Sequence, residues 1–446
     1  MSSKIPLRVL TALCVPFVCV PLVISSAGAG RTVLPPGAGE QPGAVLDLGT
    51  LGGRSAAAHD VNTWGVVAGE STTSDDLRQA FLTMPAHVMV ALRPYDAVDS
   101  RAFSINDRGD VVGYAFGDGI PEASEGFRQT GRLVRAVGDC GPSSVGCFQS
   151  PLSINNLREA VGWRYPPYPS IAPVAVAWRP DGVSRLLSPT GKRGEALDIN
   201  DRGQIVGWSA DPTGVTHAVV WGPDGAVLDL GVAGGIASVA VAINELGDVV
   251  GYRYTADLKA HACLWRRNGG VVDVLPDVES VAYDVNDAGQ VVGVLVESES
   301  SEWSTPFVWS AESGLVRLTN LIGGPSTARK INALGEIVGW VAEPIEEGPS
   351  HAMWWYEPPS MSMEFRAIRQ LIAVLAADHV IGHGHAVAAT AHARAAERAW
   401  AAGDGPRAAR HTRTLSAWLL RVARDERRAI HLAAFLERLS LRLQPA

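Results

Sequence analysis

The chain has 446 residues, 47% of them hydrophobic, and a formal charge of −8. That much apolar material can build one large core plus a small second domain, and it excludes the disordered and collagen-like classes. The charge is unevenly spread: from residue 361 on, 13 Arg, no Lys and 7 acidic residues give +6, which leaves −14 for the rest. An acidic body with a basic tail argues against nucleic acid as the main partner.

Residues 1–29 read as a signal peptide. Lys4 and Arg8 precede an apolar run from Val9 to Ile24, and Ala27-Gly28-Ala29 has the small-x-small pattern of a cleavage site after Ala29. The run is short for a membrane span of roughly 20 residues. The expectation is therefore a secreted protein, extracellular or at the cell surface, with no stable membrane insertion after cleavage. Residues 30–43 form a linker.

From 44 to 357 the sequence repeats. A unit of aliphatic, Asn, two variable residues, Gly, one variable residue, aliphatic, Val or Ala, Gly recurs at Asn62, Asn106, Asn155, Asn200, Asn244, Asn286 and Asn332, with spacings of 44, 49, 45, 44, 42 and 46 residues. Repeats of this length point to a solenoid or a propeller. Each Asn opens a turn through its side chain, and the Gly three residues on takes the left-handed conformation of a bulged hairpin loop. Arg158 occupies that Gly position in the third copy, where strain or a reshaped turn is expected.

A third strand follows in each copy, marked by Trp221, Trp265, Trp309 and Trp354, and more loosely by Trp178. A Gly turn then leads to a fourth strand such as Ala226-Val227-Leu228-Asp229-Leu230. Four strands per unit is blade arithmetic. Residues 44–48 form a fourth strand with no preceding three, while the last copy ends after its third strand. The prediction is a mainly β, seven-bladed β-propeller of about 45-residue repeats, closed by the N-terminal strand and so free of exposed sheet edges.

These strings carry a resemblance. Leu46-Asp-Leu-Gly-Thr-Leu-Gly-Gly53, Ile199-Asn-Asp-Arg-Gly-Gln-Ile-Val-Gly207 and His217-Ala-Val-Val-Trp221 resemble the HAF family of bacterial extracellular repeats. That resemblance implies secretion and a propeller-like fold, and brings no catalytic residues with it.

Residues 361–446 change to helical periodicity and predict a small α-helical bundle. Phe365, Ile368, Leu371, Ile372 and Leu375 mark a first helix, and an Ala-rich helix runs to about Ala402. Gly403-Asp404-Gly405-Pro406 stops and restarts the chain. A third helix carries Leu415, Trp418, Leu419 and Val422. In a fourth, capped by Asp425, Ile430, Ala434, Leu436 and Leu439 are the apolar positions. The segment is similar to the FIMAH modules at the C-termini of bacterial secreted proteins.

Residues that recur in every blade serve the fold, so the seven Asn and the blade Trp residues are assigned structural roles. His217, His261 and His351 share one strand position, and each is expected to anchor a backbone group in its own blade. His379, His383 and His385 have ligand-like spacing but no metalloprotease Glu, so no metal and no cofactor are expected. Cys140 and Cys147 bracket a short loop suited to a disulfide in an oxidising compartment, and Cys263 reads as a buried free thiol.

Variation between blades is where function is expected. Candidate ligand-binding residues are Tyr95, Tyr165, Tyr168, Tyr254 and Trp303, on the loops that join strands two to three and four to the next blade. No catalytic motif is present. The expected function is binding or adhesion toward an extracellular protein or glycan, without catalysis. The alternative is a polysaccharide-acting hydrolase or lyase with carboxylates such as Asp96, Asp118 or Glu302 at the channel mouth.

Overall fold

A computed structural model describes residues 44–84, 88–117, 125–131, 133–137, 149–165, 172–187, 192–296, 304–320, 322–344, 348–356, 368, 372, 381–422 and 436. It shows seven antiparallel four-stranded sheets. Blades one to six cover 52–91, 99–136, 149–186, 194–229, 237–273 and 280–317, and the strands of each sheet follow chain order. Blade seven combines three strands of 326–356 with Ala44–Asp47, which pairs antiparallel with Ser350–Tyr356 in the register Leu46 to Trp354. The chain is thus a seven-bladed β-propeller closed by its N-terminal strand.

The repeat motif is a three-residue hairpin joining strands one and two. In blade four, Asn200 N donates to Gln204 O at 3.1 Å and Gly203 N to Asn200 O at 3.0 Å, with Gly203 at φ +72°. The Asn side-chain oxygen accepts from the backbone amide four residues on in all seven blades, and from the amide two residues on in six of them. Arg158 keeps this turn instead of reshaping it. It adopts φ +67°, and its Nε donates to Asp110 Oδ2 at 2.8 Å in the preceding blade, an ion pair that offsets the strain.

The last Gly of the motif has a packing reason. All seven innermost strands carry a β-bulge four to two residues before the Asn. The bulge pushes a carbonyl against strand two: a Cβ on Gly207 would lie 1.9 Å from Glu195 O, and one on Gly69 would lie 2.1 Å from Ala57 O. Only Gly fits there.

Between blades the core is aliphatic and aromatic. Trp178, Trp221, Trp265 and Trp354 are buried, and Trp309 is half-buried. Cys263 is a buried free thiol, pushed up to about 12 by burial. The C-terminal region contributes α1 (His383–Ala401) and α2 (Gly405–Val422). Asp404 caps α2 by accepting from Arg407 N at 3.0 Å, and Gly403 turns the chain at φ +75°. One buried cluster takes in Ile105 and Phe127 of the propeller together with Ile368, Ile372, Ile381, Ala393 and Leu419 of the helical region. Among the described residues no helix is long and apolar enough to cross a membrane. The signal segment, the linker, Cys140 and Cys147, and Asp425 with most of the fourth predicted helix lie outside the described residues.

Candidate functional site

The channel is built from the seven innermost strands, and its two ends differ. At the hairpin end the asparagines form a closed ring. The Nδ2 of each donates to the carbonyl of the Asn in the next blade, at 2.9 to 3.2 Å, from Asn62 through Asn332 and back to Asn62. A cavity of about 210 Å³ lies along this ring.

Two further tiers of polar side chains stitch neighbouring blades there. One residue after the Asn, Asp107, Asn156, Asp201 and Glu245 each accept the backbone amide of the equivalent residue in the preceding blade. Two residues before it, Asp60, Asp198 and Asp284 accept Ile105 N, Ile243 N and Ile331 N of the following blade. Lys330 fills this position in blade seven, with its Nζ 3.3 Å from Asp284 Oδ1 and 3.6 Å from Asp198 Oδ1. Burial raises the Asp284 carboxyl to about 6 against the pull of Lys330. Every one of these carboxylates is committed to a backbone amide, so this end is a fastening.

The opposite end has a different chemistry. The residue immediately after the motif's last Gly is Glu70, Tyr114, Trp163, Trp208, Tyr252, Val294 and Trp340 in blades one to seven. The residue at each bulge is His59, Phe103, Leu152, Leu197, Val241, Tyr283 and Arg329. Phe103, Leu152, Leu197, Val241 and Tyr283 pack in one cluster with Tyr114, Trp163, Trp208, Tyr252 and Tyr254. A cluster that takes one residue from each of five successive innermost strands can only run around the axis. Tyr114, Trp163, Trp208, Tyr254 and Tyr283 are half-buried, so part of each ring faces outward.

Blades seven, one and two complete the circle with charge. Arg329 stands over the Tyr283 ring at 5.0 Å, and His59 meets Phe103 edge-on at 6.1 Å. Glu70 lies 3.1 Å from Arg101 Nε, 3.7 Å from His59 Nε2 and 3.9 Å from Arg78 Nε. Burial would raise its carboxyl, but His59, Arg101 and Arg78 together hold it at about 2. Glu195 goes the other way: burial lifts it to about 7, although the Trp208 indole donates to it and the charge of Arg193 pulls it down.

Two candidates from the sequence join this aromatic end. Tyr165 meets Trp163 edge-on at 5.1 Å, and Tyr254 meets Tyr252 at 5.5 Å. Tyr95 stands apart, at φ +55°, packed with Leu92 against the cluster shared with the helical region. Tyr168, Trp303, Asp118 and Glu302, and the side chain of Asp96, lie outside the described residues. Tyr114, Trp163, Trp208 and Tyr252 were not among the sequence candidates, although setting the seven repeats in register and reading the column after the last Gly exposes them.

Two of the three strand-three histidines, His217 and His351, hold carboxylates and not backbone groups, while the buried Nδ1 of His261 has no hydrogen-bond partner among the described residues. His217 Nδ1 lies 2.9 Å from Asp229 Oδ2 and His351 Nδ1 2.9 Å from Asp47 Oδ2. The fourth-strand Asp lies on the same sheet face, diagonal to the His. In blade five the matching Asp273 pairs with Arg253 at 2.8 Å instead. His385 rests edge-on against Trp418 at 5.5 Å, while His379 and the side chain of His383 lie outside the described residues. Among the described residues no three metal-ligating side chains converge.

No family model matches the sequence, and no curated protein does. Among solved structures the chain is similar to the β-propeller domain of the Trilobed protease from Pyrococcus furiosus, at 12% identity and TM-score 0.48, over 69% of this chain and 97% of that one. It is also similar to a puromycin-hydrolysing peptidase of Mycobacterium tuberculosis, at 12% identity and TM-score 0.48, over 65% of this chain and 49% of that one. A third is the SapL1 lectin in complex with alpha methyl fucoside, at 11% identity and TM-score 0.33, over 59% of this chain and 95% of that one.

Proposed function

We propose that the protein is a secreted, HAF-like recognition propeller that binds an extracellular glycan at the aromatic end of its channel, without catalysis. The observation that carries this reading is the column after the repeat glycine, aromatic in five of seven blades where the fold needs no aromatic. Half-buried rings arranged around a mouth offer flat apolar faces to sugar C–H groups, with polar tips and the Glu70–Arg101 pair for hydroxyls.

The hydrolase alternative needs two carboxyl groups about 5 to 10 Å apart and free to move protons. Asp198 and Asp284 converge on Lys330, but each gives one oxygen to a backbone amide and the other to Lys330. Such groups brace blades. Screening the mature chain on an array of glycans and cell-wall polymers, with product analysis of each hit, tests the reading: binding without product supports it, and new reducing ends or unsaturated sugars refute it.

A further inference from the structure

The two described helices carry a charge pattern that the propeller site does not use. Arg394 and Arg398 on α1 and Arg407, Arg410, Arg413 and Arg421 on α2 are all exposed, against only Glu397 and Asp404 among acidic residues of the pair. Where the helices meet, His392 and His411 face each other with their Nδ1 atoms 3.5 Å apart. Burial and the neighbouring His392, Arg407, Arg410 and Arg398 depress the His411 imidazole. Five basic groups from two helices thus crowd one seam, an arrangement that disfavours packing the helices together.

What holds them is apolar: Ala389, Ala393, Ala396 and Ala399 of α1 are buried with Ala408, Ala409, Leu415 and Leu419 of α2. The apolar face of α2 is therefore covered by α1 and is not free to enter a bilayer. Duplex nucleic acid fits poorly with a propeller region whose net charge is −16, from −14 before residue 361 less the +2 of residues 1–43. Arg407, Arg410 and Arg413 follow one another at three-residue steps, a ridge of positive charges about 4.5 Å apart along the helix axis. A ridge beside a basic seam suits a flexible thread with regularly spaced anions.

We infer that the α1–α2 pair is a second binding surface, separate from the propeller mouth, which takes an acidic polysaccharide along the Arg407–Arg410–Arg413 ridge and the His392–His411 seam. It does not depend on the glycan reading of the propeller. The test is titration of the full mature chain with polygalacturonate at low and high salt, beside its fully methyl-esterified, uncharged form. The expected result is salt-sensitive binding of the acid form only, weakened at least about tenfold in an Arg407→Glu/Arg410→Glu variant, because each reversal replaces an attraction by a repulsion. Both residues are exposed, so the variant keeps its fold, which its melting temperature verifies. Trp208→Ala on the propeller is expected to leave this binding unchanged. Equal affinity of the variant and the parent would overturn the inference, as would loss of binding in Trp208→Ala alone. Binding to phosphatidylglycerol vesicles or duplex DNA but not to polygalacturonate would overturn it too.

Discussion

Asn332 Nδ2 donates to Asn62 O at 3.0 Å across 270 residues of sequence, and this bond closes the ring of seven asparagines. Each side chain does two jobs: its oxygen shapes a hairpin within the blade, and its nitrogen ties that hairpin to the next. Ala at Asn200 removes the bonds to Arg202 N, Gln204 N and Asn244 O, leaving two part-buried amides unpaired and breaking a buried link to the next blade. The expected cost is about 2–4 kcal/mol, read by urea unfolding. Loss of under about 0.5 kcal/mol would show that the ring is incidental.

Arg158 pairs a strained backbone with a compensating ion pair. Arg158→Ala keeps the left-handed φ and loses Asp110, so about 1–2 kcal/mol of destabilisation is expected. Arg158→Gly relieves the strain as it loses the pair, and should lie within about 0.5 kcal/mol of the parent. Thermal unfolding of the two variants checks the order.

The strand Ala44–Asp47 supplies the fourth strand of blade seven, and Leu48 beyond it is buried. A chain starting at residue 52 exposes the edge of Ser350–Tyr356 and unpairs His351 from Asp47. It is expected to lose cooperative unfolding and to self-associate in light scattering, whereas a chain starting at residue 44 should match one starting at residue 30.

Stability should peak in mildly acidic solution. Glu195 and Glu245, raised to about 7 by burial, bind protons more tightly folded than unfolded, so stability falls as pH rises from about 4.5 to 7. Glu70, held at about 2, runs the other way: its contribution is complete above about 4.5 and is lost as pH falls toward 2. Glu195→Gln should flatten the neutral limb by about 1 kcal/mol, a figure reduced for its partial exposure. Urea unfolding at about pH 5 and about pH 8 measures this, and a parent more stable at the higher pH would contradict it.

The fold was legible because its grammar is local and repeated: Asn, Gly and Gly at fixed spacing write one hairpin seven times, and the orphan strand at 44–48 revealed the closure. The asparagine ring was not legible, since a side chain that caps a turn looks the same whether or not its nitrogen reaches the next blade. Arg158 showed that a position normally filled by Gly tolerates strain when an ion pair answers it. The candidate site was half legible. The loop positions of Tyr165 and Tyr254 mark them as candidates in the sequence, whereas the meeting of Trp208 and Tyr114 depends on sheet order around an axis. The His217–Asp229 pair needed the cross-strand register, which spacing alone does not fix.

The most direct measurement is the affinity of the chain from residue 30 on for the best glycan on the array, compared with Trp163→Ala and Trp208→Ala. If the aromatic end is the binding face, each substitution weakens binding by roughly tenfold or more while unfolding stays cooperative, since a stacked ring contributes on the order of 1–2 kcal/mol. Unchanged affinity in both variants, with the glycan still bound, would place recognition elsewhere and contradict the assignment.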